Sequence, residues 1–120
     1  MGYKDDVSRP FQTVVETRAF IADARECLSE AERMAAIAMI AENPERGDVI
    51  AGGGGIRKVR YAVGGKGKSG GVRIIYYFHG AHVPIFLLTV FAKNERANLS
   101  RSELQQLALA AKELARRYGA

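Results

Sequence analysis

The sequence predicts an α+β fold: a four-stranded, mainly antiparallel sheet, a helical hairpin after the first strand, and a helix at the C-terminus. Three observations carry this. Runs rich in β-branched and aromatic residues, Ile56–Val63, Val72–Phe78 and Ile85–Phe91, are separated by glycine-rich or turn-rich segments, which is the pattern of an antiparallel meander. Two capping boxes, Ser29 with Glu32 and Ser100 with Glu103, each open an apolar-periodic segment and so mark helix starts. At 120 residues, 48% of them hydrophobic and 26% charged, the chain is long enough for one domain with one core, residues 1–120.

In chain order, residues 1–10 have no periodicity and read as a loose arm. Phe11–Thr17 alternates as a strand does. Arg18–Leu28 carries Phe20, Ile21, Ala24 and Leu28 at helical spacing. A second helix runs from the Ser29 cap through Ala41, with Met34, Ile37, Ala38 and Ala41 as its apolar face, and Asn43-Pro44 stops it. Helices joined this tightly are expected to pair as a hairpin. Glu45–Gly55 reads as a linker whose four consecutive glycines imply a close backbone approach. The final helix extends to about Tyr118 with Leu104, Leu107, Ala108, Ala111, Leu114 and Ala115 on one face. The order is then β-α-α-β-β-β-α, with one sheet face covered by helices and the other open to a ligand.

Charge points to the ligand. The net charge is +5, and residues 57–73 hold Arg57, Lys58, Arg60, Lys66, Lys68 and Arg73 without one acid. A positive stripe on one element is the electrostatic footprint of a nucleic-acid binder. Alternation places Arg57, Val59 and Tyr61 on one face of their strand and Ile56, Lys58 and Arg60 on the other. Val59 and Tyr61 suit the covered side, so Lys58 and Arg60 project from the open side. Arg73 shares a face with Ile75 and Tyr77, and joins Lys58 and Arg60 if the two faces coincide. Register is not readable from the sequence.

Other motifs are weaker. Ala62–Ser69 fits a relaxed phosphate-loop pattern, but that loop needs a following helix, and Val72–Phe78 reads as a strand. His79 and His82 flank a turn, where packing holds an acid–base pair loosely, and no cysteine or carboxylate lies near them at metal-ligand spacing. Cys27, the sole cysteine, reads as a small packed hydrophobe. No apolar run approaches the roughly 20 residues that span a bilayer. The N-terminus lacks the basic start and apolar core of a signal peptide, so a cytoplasmic protein without membrane contact is expected.

The segments GDVIAGGGGIRKVRYAVGGKGKSGGVRIIYYFH and LLTVFAKNERANLSRSEL resemble the RelE/HigB toxins of bacterial type II toxin–antitoxin systems, the HigB-2-like branch above all. The likeness runs from about Phe11 to the C-terminus. It implies a RelE-like fold and a ribosome-dependent mRNA endoribonuclease that cuts mRNA in the ribosomal A site with no metal and no cofactor. It also implies a cognate antitoxin, encoded adjacently and bearing a helix-turn-helix, with operator DNA bound only through the antitoxin complex. Family basic residues match Lys58 and Arg60 on one strand and Arg73 at the start of the next. With Lys93 these form the implied catalytic set. Arg57, Lys66, Lys68, Tyr77, His79 and Asn94 are the expected RNA contacts. Where RelE has an arginine after its last strand and then a tyrosine, this chain has Asn94 beside Lys93, and Asn98–Ser100. That departure leaves the general acid and base open among Tyr76, Tyr77 and His79. A non-catalytic RNA- or ribosome-binding module of the same fold is the alternative.

Overall fold

The computed structural model describes residues 12–64 and 71–120. Lys66 and Lys68 lie outside them, as does the arm. The elements are β1 (Val14–Glu16), α1 (Arg18–Cys27), α2 (Glu30–Glu42), β2 (Asp48–Val49), β3 (Ile56–Tyr61), β4 (Val72–Tyr77), β5 (Ile85–Ala92) and α3 (Arg101–Arg116). The sheet has five strands in the order β1-β5-β4-β3-β2, one more than expected. The addition is β2, two residues inside the expected linker, paired antiparallel to β3. β1 lies parallel to β5, so the sheet is mixed.

Both capping boxes form, with Ser29 and Ser100 accepting from the third helical amide and Glu32 and Glu103 answering. Thr17 caps α1 and also donates from Oγ1 to Leu87 O at 2.8 Å, fixing the helix start to β5. α1 and α2 cover one sheet face, where Phe20, Ala24, Ala36 and Ile40 pack with Val59, Val72, Ile74, Tyr76, Ile85 and Leu87. The apolar face expected for α2 holds in part. Ile37 and Ala41 pack inward, but Met34 is 60% exposed and Ala38 is exposed, while Ala36 and Ile40 are buried. In EAERMAAIAMIAE, alanine, isoleucine and methionine occur on every side, so periodicity does not select one.

The opposite face is not open. α3 lies on it, its predicted apolar residues packing with Ile56, Ile75, Tyr77, Phe86, Leu88 and Phe91. The glycine run serves this contact. A Cβ on Gly53 would stand 3.1 Å from Ile56 Cβ and 3.3 Å from Leu104 Cδ1. Gly55 has φ +108°, and its Cβ would meet the Tyr77 ring at 2.9 Å. Among the described residues, what α3 leaves uncovered is a corner of its face built from β3, β4 and the end of β5.

Cys27 is half-buried, and burial, with Glu95, Asp23 and Glu26 adding to it, pushes its thiol up to about 11. The thiolate is the reactive form, so alkylation at pH 8 should run on the order of 10²-fold slower than for a free cysteine. Iodoacetamide kinetics against a cysteine peptide measure this. Reaction at the peptide's rate would show the thiol to be unprotected.

Candidate RNA-cleaving corner

β3 and β4 pair so that Arg60 stands directly opposite Arg73 and Lys58 opposite Ile75. Cross-strand partners share a face about 5 Å apart at Cα, and residues two apart on one strand share it about 7 Å apart. Lys58, Arg60 and Arg73 therefore gather on one face, the α3 side, beyond the reach of α3. Like charges directly opposite one another destabilise a sheet. Nothing offsets this pair: among the described residues neither arginine makes an ion pair.

Arg73 is half-buried, and its Nη1 is fully buried with no hydrogen-bond partner among the described residues. Burial, and then the charge of Arg60, lowers the pKa of its guanidinium. An arginine beside another, with one donor buried and unpartnered among the described residues, has the chemistry to receive an anion.

The floor of the corner is set by a β-bulge. Ile75 pairs with Thr89 but Tyr76 with Leu87, so Leu88 is the extra residue. A bulge re-aims the side chains after it. Here it brings Phe91 opposite Arg73 on the α3 face. Arg96 then lies over the Phe91 ring, 4.6 Å from its centroid, and its Nη1 reaches both oxygens of Glu103 at 2.9 and 2.8 Å. Glu103 also accepts from Ser100 N, and these bonds lower its pKa, the Ser100 amide contributing most. The loop between β5 and α3 is thus tied at both ends, and from it Asn98 Oδ1 accepts from Lys58 Nζ at 3.0 Å.

The other expected site residues divide. Lys93 follows β5 directly, and its backbone N–H donates to Gly71 O at 3.0 Å, placing it beside the start of β4. Asn94 is exposed in the same turn. Arg57 belongs to the opposite face, where it donates to Gly47 O at 2.8 Å and lies over the Phe78 ring. Tyr77 is only 6% exposed, packed under α3, and so offers RNA no surface. Its hydroxyl meets His79 Nδ1 at 3.3 Å. Tyr77 lies four residues along β4 from Arg73, about 13 Å at strand rise, and His79 lies beyond the far end of that strand. Tyr76 is fully buried on the α1–α2 side, its hydroxyl donating to Pro44 O and accepting from Gly47 N. None of these three can serve the corner as acid or base. Sequence reasoning placed no role on Phe91 or Arg96; the bulge that aims Phe91 and the bond from Arg96 to Glu103 exist only once the sheet is folded. A strand at Val72–Tyr77 also removes the phosphate-loop reading.

A small α+β protein with a cationic corner on a helix-backed sheet is the class this geometry defines. A sequence model described as the RelE toxin of the RelE/RelB toxin–antitoxin system matches residues 12–119. The chain belongs to the RelE toxin family. Its fold is similar to that of an arginine-substituted mutant of the E. coli toxin RelE in the free state. The TM-score is 0.56 at 17% identity, over 84% of this chain and 97% of that one. Among the described residues no helix is long and apolar enough to cross a membrane.

Proposed function

We propose that this chain is a ribosome-dependent mRNA endoribonuclease of the HigB-2-like branch, arresting translation by cutting mRNA in the ribosomal A site. The observation that supports it best is the Arg60–Arg73 pair, uncompensated among the described residues and holding a buried unused donor. In the reaction the RNA 2′-hydroxyl attacks the adjacent phosphorus and the P–O5′ bond breaks. One proton leaves the 2′-oxygen and one is delivered to the departing 5′-oxygen. Negative charge builds on the non-bridging oxygens in between, where Arg60 and Arg73 stabilise it. Side chains alone carry the steps. Arginine stays protonated, so Lys58 and Lys93 are the groups near the corner able to move a proton. Asn94, exposed beside Lys93, is an RNA contact. An antitoxin encoded beside the toxin and carrying a helix-turn-helix would silence the protein in the cytoplasm, with operator DNA bound through their complex.

The displacement of Tyr76, Tyr77 and His79 from the corner favours a second reading, a non-catalytic RNA- or ribosome-binding module. Induced expression separates the two. The nuclease reading expects growth arrest with new mRNA 5′ ends mapped by primer extension, both lost on Arg73→Ala. Arrest without cut mRNA would support the binding module instead.

A further inference from the structure

Lysine carries a compact charge on a flexible four-carbon stem, with about 2 kcal/mol of rotamer entropy. Something must hold it to make it useful beside two arginines that repel it. The nearest anion in register is Asp48, directly opposite Lys58 on the edge strand β2. Yet Lys58 makes no ion pair with Asp48; its ammonium goes to neutral Asn98, forty positions along the chain.

We infer that Asn98 is a positioning residue of this site, drawing the Lys58 ammonium away from Asp48 and holding it at the Arg60–Arg73 corner, while the Arg96–Glu103–Ser100 clamp holds Asn98. The inference rests on the corner's being the RNA-cleaving site. A carbonyl suits the task. It accepts one of the three ammonium donors and leaves two for phosphate, without cancelling the charge that a phosphate must meet. A carboxylate in its place would hold the lysine harder but remove one unit of positive charge. The clamp explains why a loop residue can act with precision. Arg96 is fixed by the Phe91 ring below and by both Glu103 oxygens. Glu103 is in turn fixed by the cap of α3.

Single-turnover cleavage on programmed ribosomes carrying labelled mRNA tests this. Asn98→Ala should lower the saturated rate by about 10-fold, the scale of losing a partner that orients a functional group, with half-saturation changed less than about twofold. In a Lys58→Ala background, adding Asn98→Ala should cost almost nothing, since one group acts through the other. Adding Asp48→Asn to Asn98→Ala should recover most of the rate by removing the competing anion. A merely structural loop residue would give additive losses and no rescue by a change on β2. Additive losses, or no rescue, overturn the inference while leaving the site reading intact, provided the wild type cuts and Arg73→Ala does not. A wild type that cuts no mRNA sinks the site reading, and this role with it.

Discussion

Replacing Arg73 by alanine should lower the saturated cleavage rate by about 10²–10³, the scale of losing one donor aimed at charge that develops in the transition state. The guanidinium is poised for this by its setting. It is half-buried, faces Arg60, and keeps Nη1 dry and unpartnered among the described residues. These features disfavour the free protein and favour the state in which an anionic oxygen arrives. The two effects should therefore part company. Arg73→Leu keeps much of the side-chain volume and removes the like-charge pair. It should raise stability by roughly 0.2–1 kcal/mol, the range for a cross-strand pair, while abolishing cleavage. Thermal melts and single-turnover rates on one preparation check both. An Arg73→Ala protein that cuts at the normal rate once saturated reduces Arg73 to a binding residue.

The second large effect belongs to stability. Tyr76 fills the α1–α2 core at 0% exposure, and its hydroxyl closes the turn between α2 and β2 by donating to Pro44 O at 2.6 Å and accepting from Gly47 N at 2.9 Å. Tyr76→Ala should cost about 3–5 kcal/mol, as large aromatic truncations do. Tyr76→Phe keeps the ring but strands a buried N–H and a carbonyl, at about 1–3 kcal/mol. Urea denaturation would separate the two. Equal losses would mean that the ring contributes nothing. Burial raises the pKa of this phenol above its ordinary value. The folded state therefore favours the neutral form, a stabilisation that is whole below about pH 10, the unfolded value, and is lost as pH rises beyond it.

Much of this architecture was legible because local chemistry specifies it. The capping boxes at Ser29 and Ser100 start their helices where serine and glutamate stand three apart. The apolar face of α3 repeats so regularly that Leu104 through Ala115 could be assigned to one side. In α2 the same reasoning finds Ile37 and Ala41 but not Ala36 and Ile40, because its apolar residues surround the axis. β2 was missed because two residues have no measurable alternation, and Asp48 and Val49 are both exposed. Two readings of the site failed for non-local reasons. The sheet face expected to be open is covered because α3 returns to it. Tyr77 is consequently a core residue although its parity with Arg73 was read correctly. Lys58, Arg60 and Arg73 could be named from charge, but their meeting depends on the register that places Arg60 across from Arg73. Arg57 sits among the same basic residues in sequence and faces the other way, which alternation did anticipate.

The parallel pairing of β1 with β5 has a consequence for the order of events at synthesis. Val14 finds its partner in Ile85, and Thr17 is anchored on Leu87, some seventy residues later. The helices that emerge first have their apolar side directed at strands not yet made, so the N-terminal half cannot complete a core. At roughly 5–20 residues per second, several seconds separate the first strand from its neighbour. The basic corner comes later still, since Asn98 and the clamp at Glu103 follow β5. A nascent chain therefore holds no assembled site until synthesis has passed β5, Asn98 and Glu103. Truncation after β4 should leave a chain without protected amides in α1, measurable by hydrogen exchange on stalled or purified fragments.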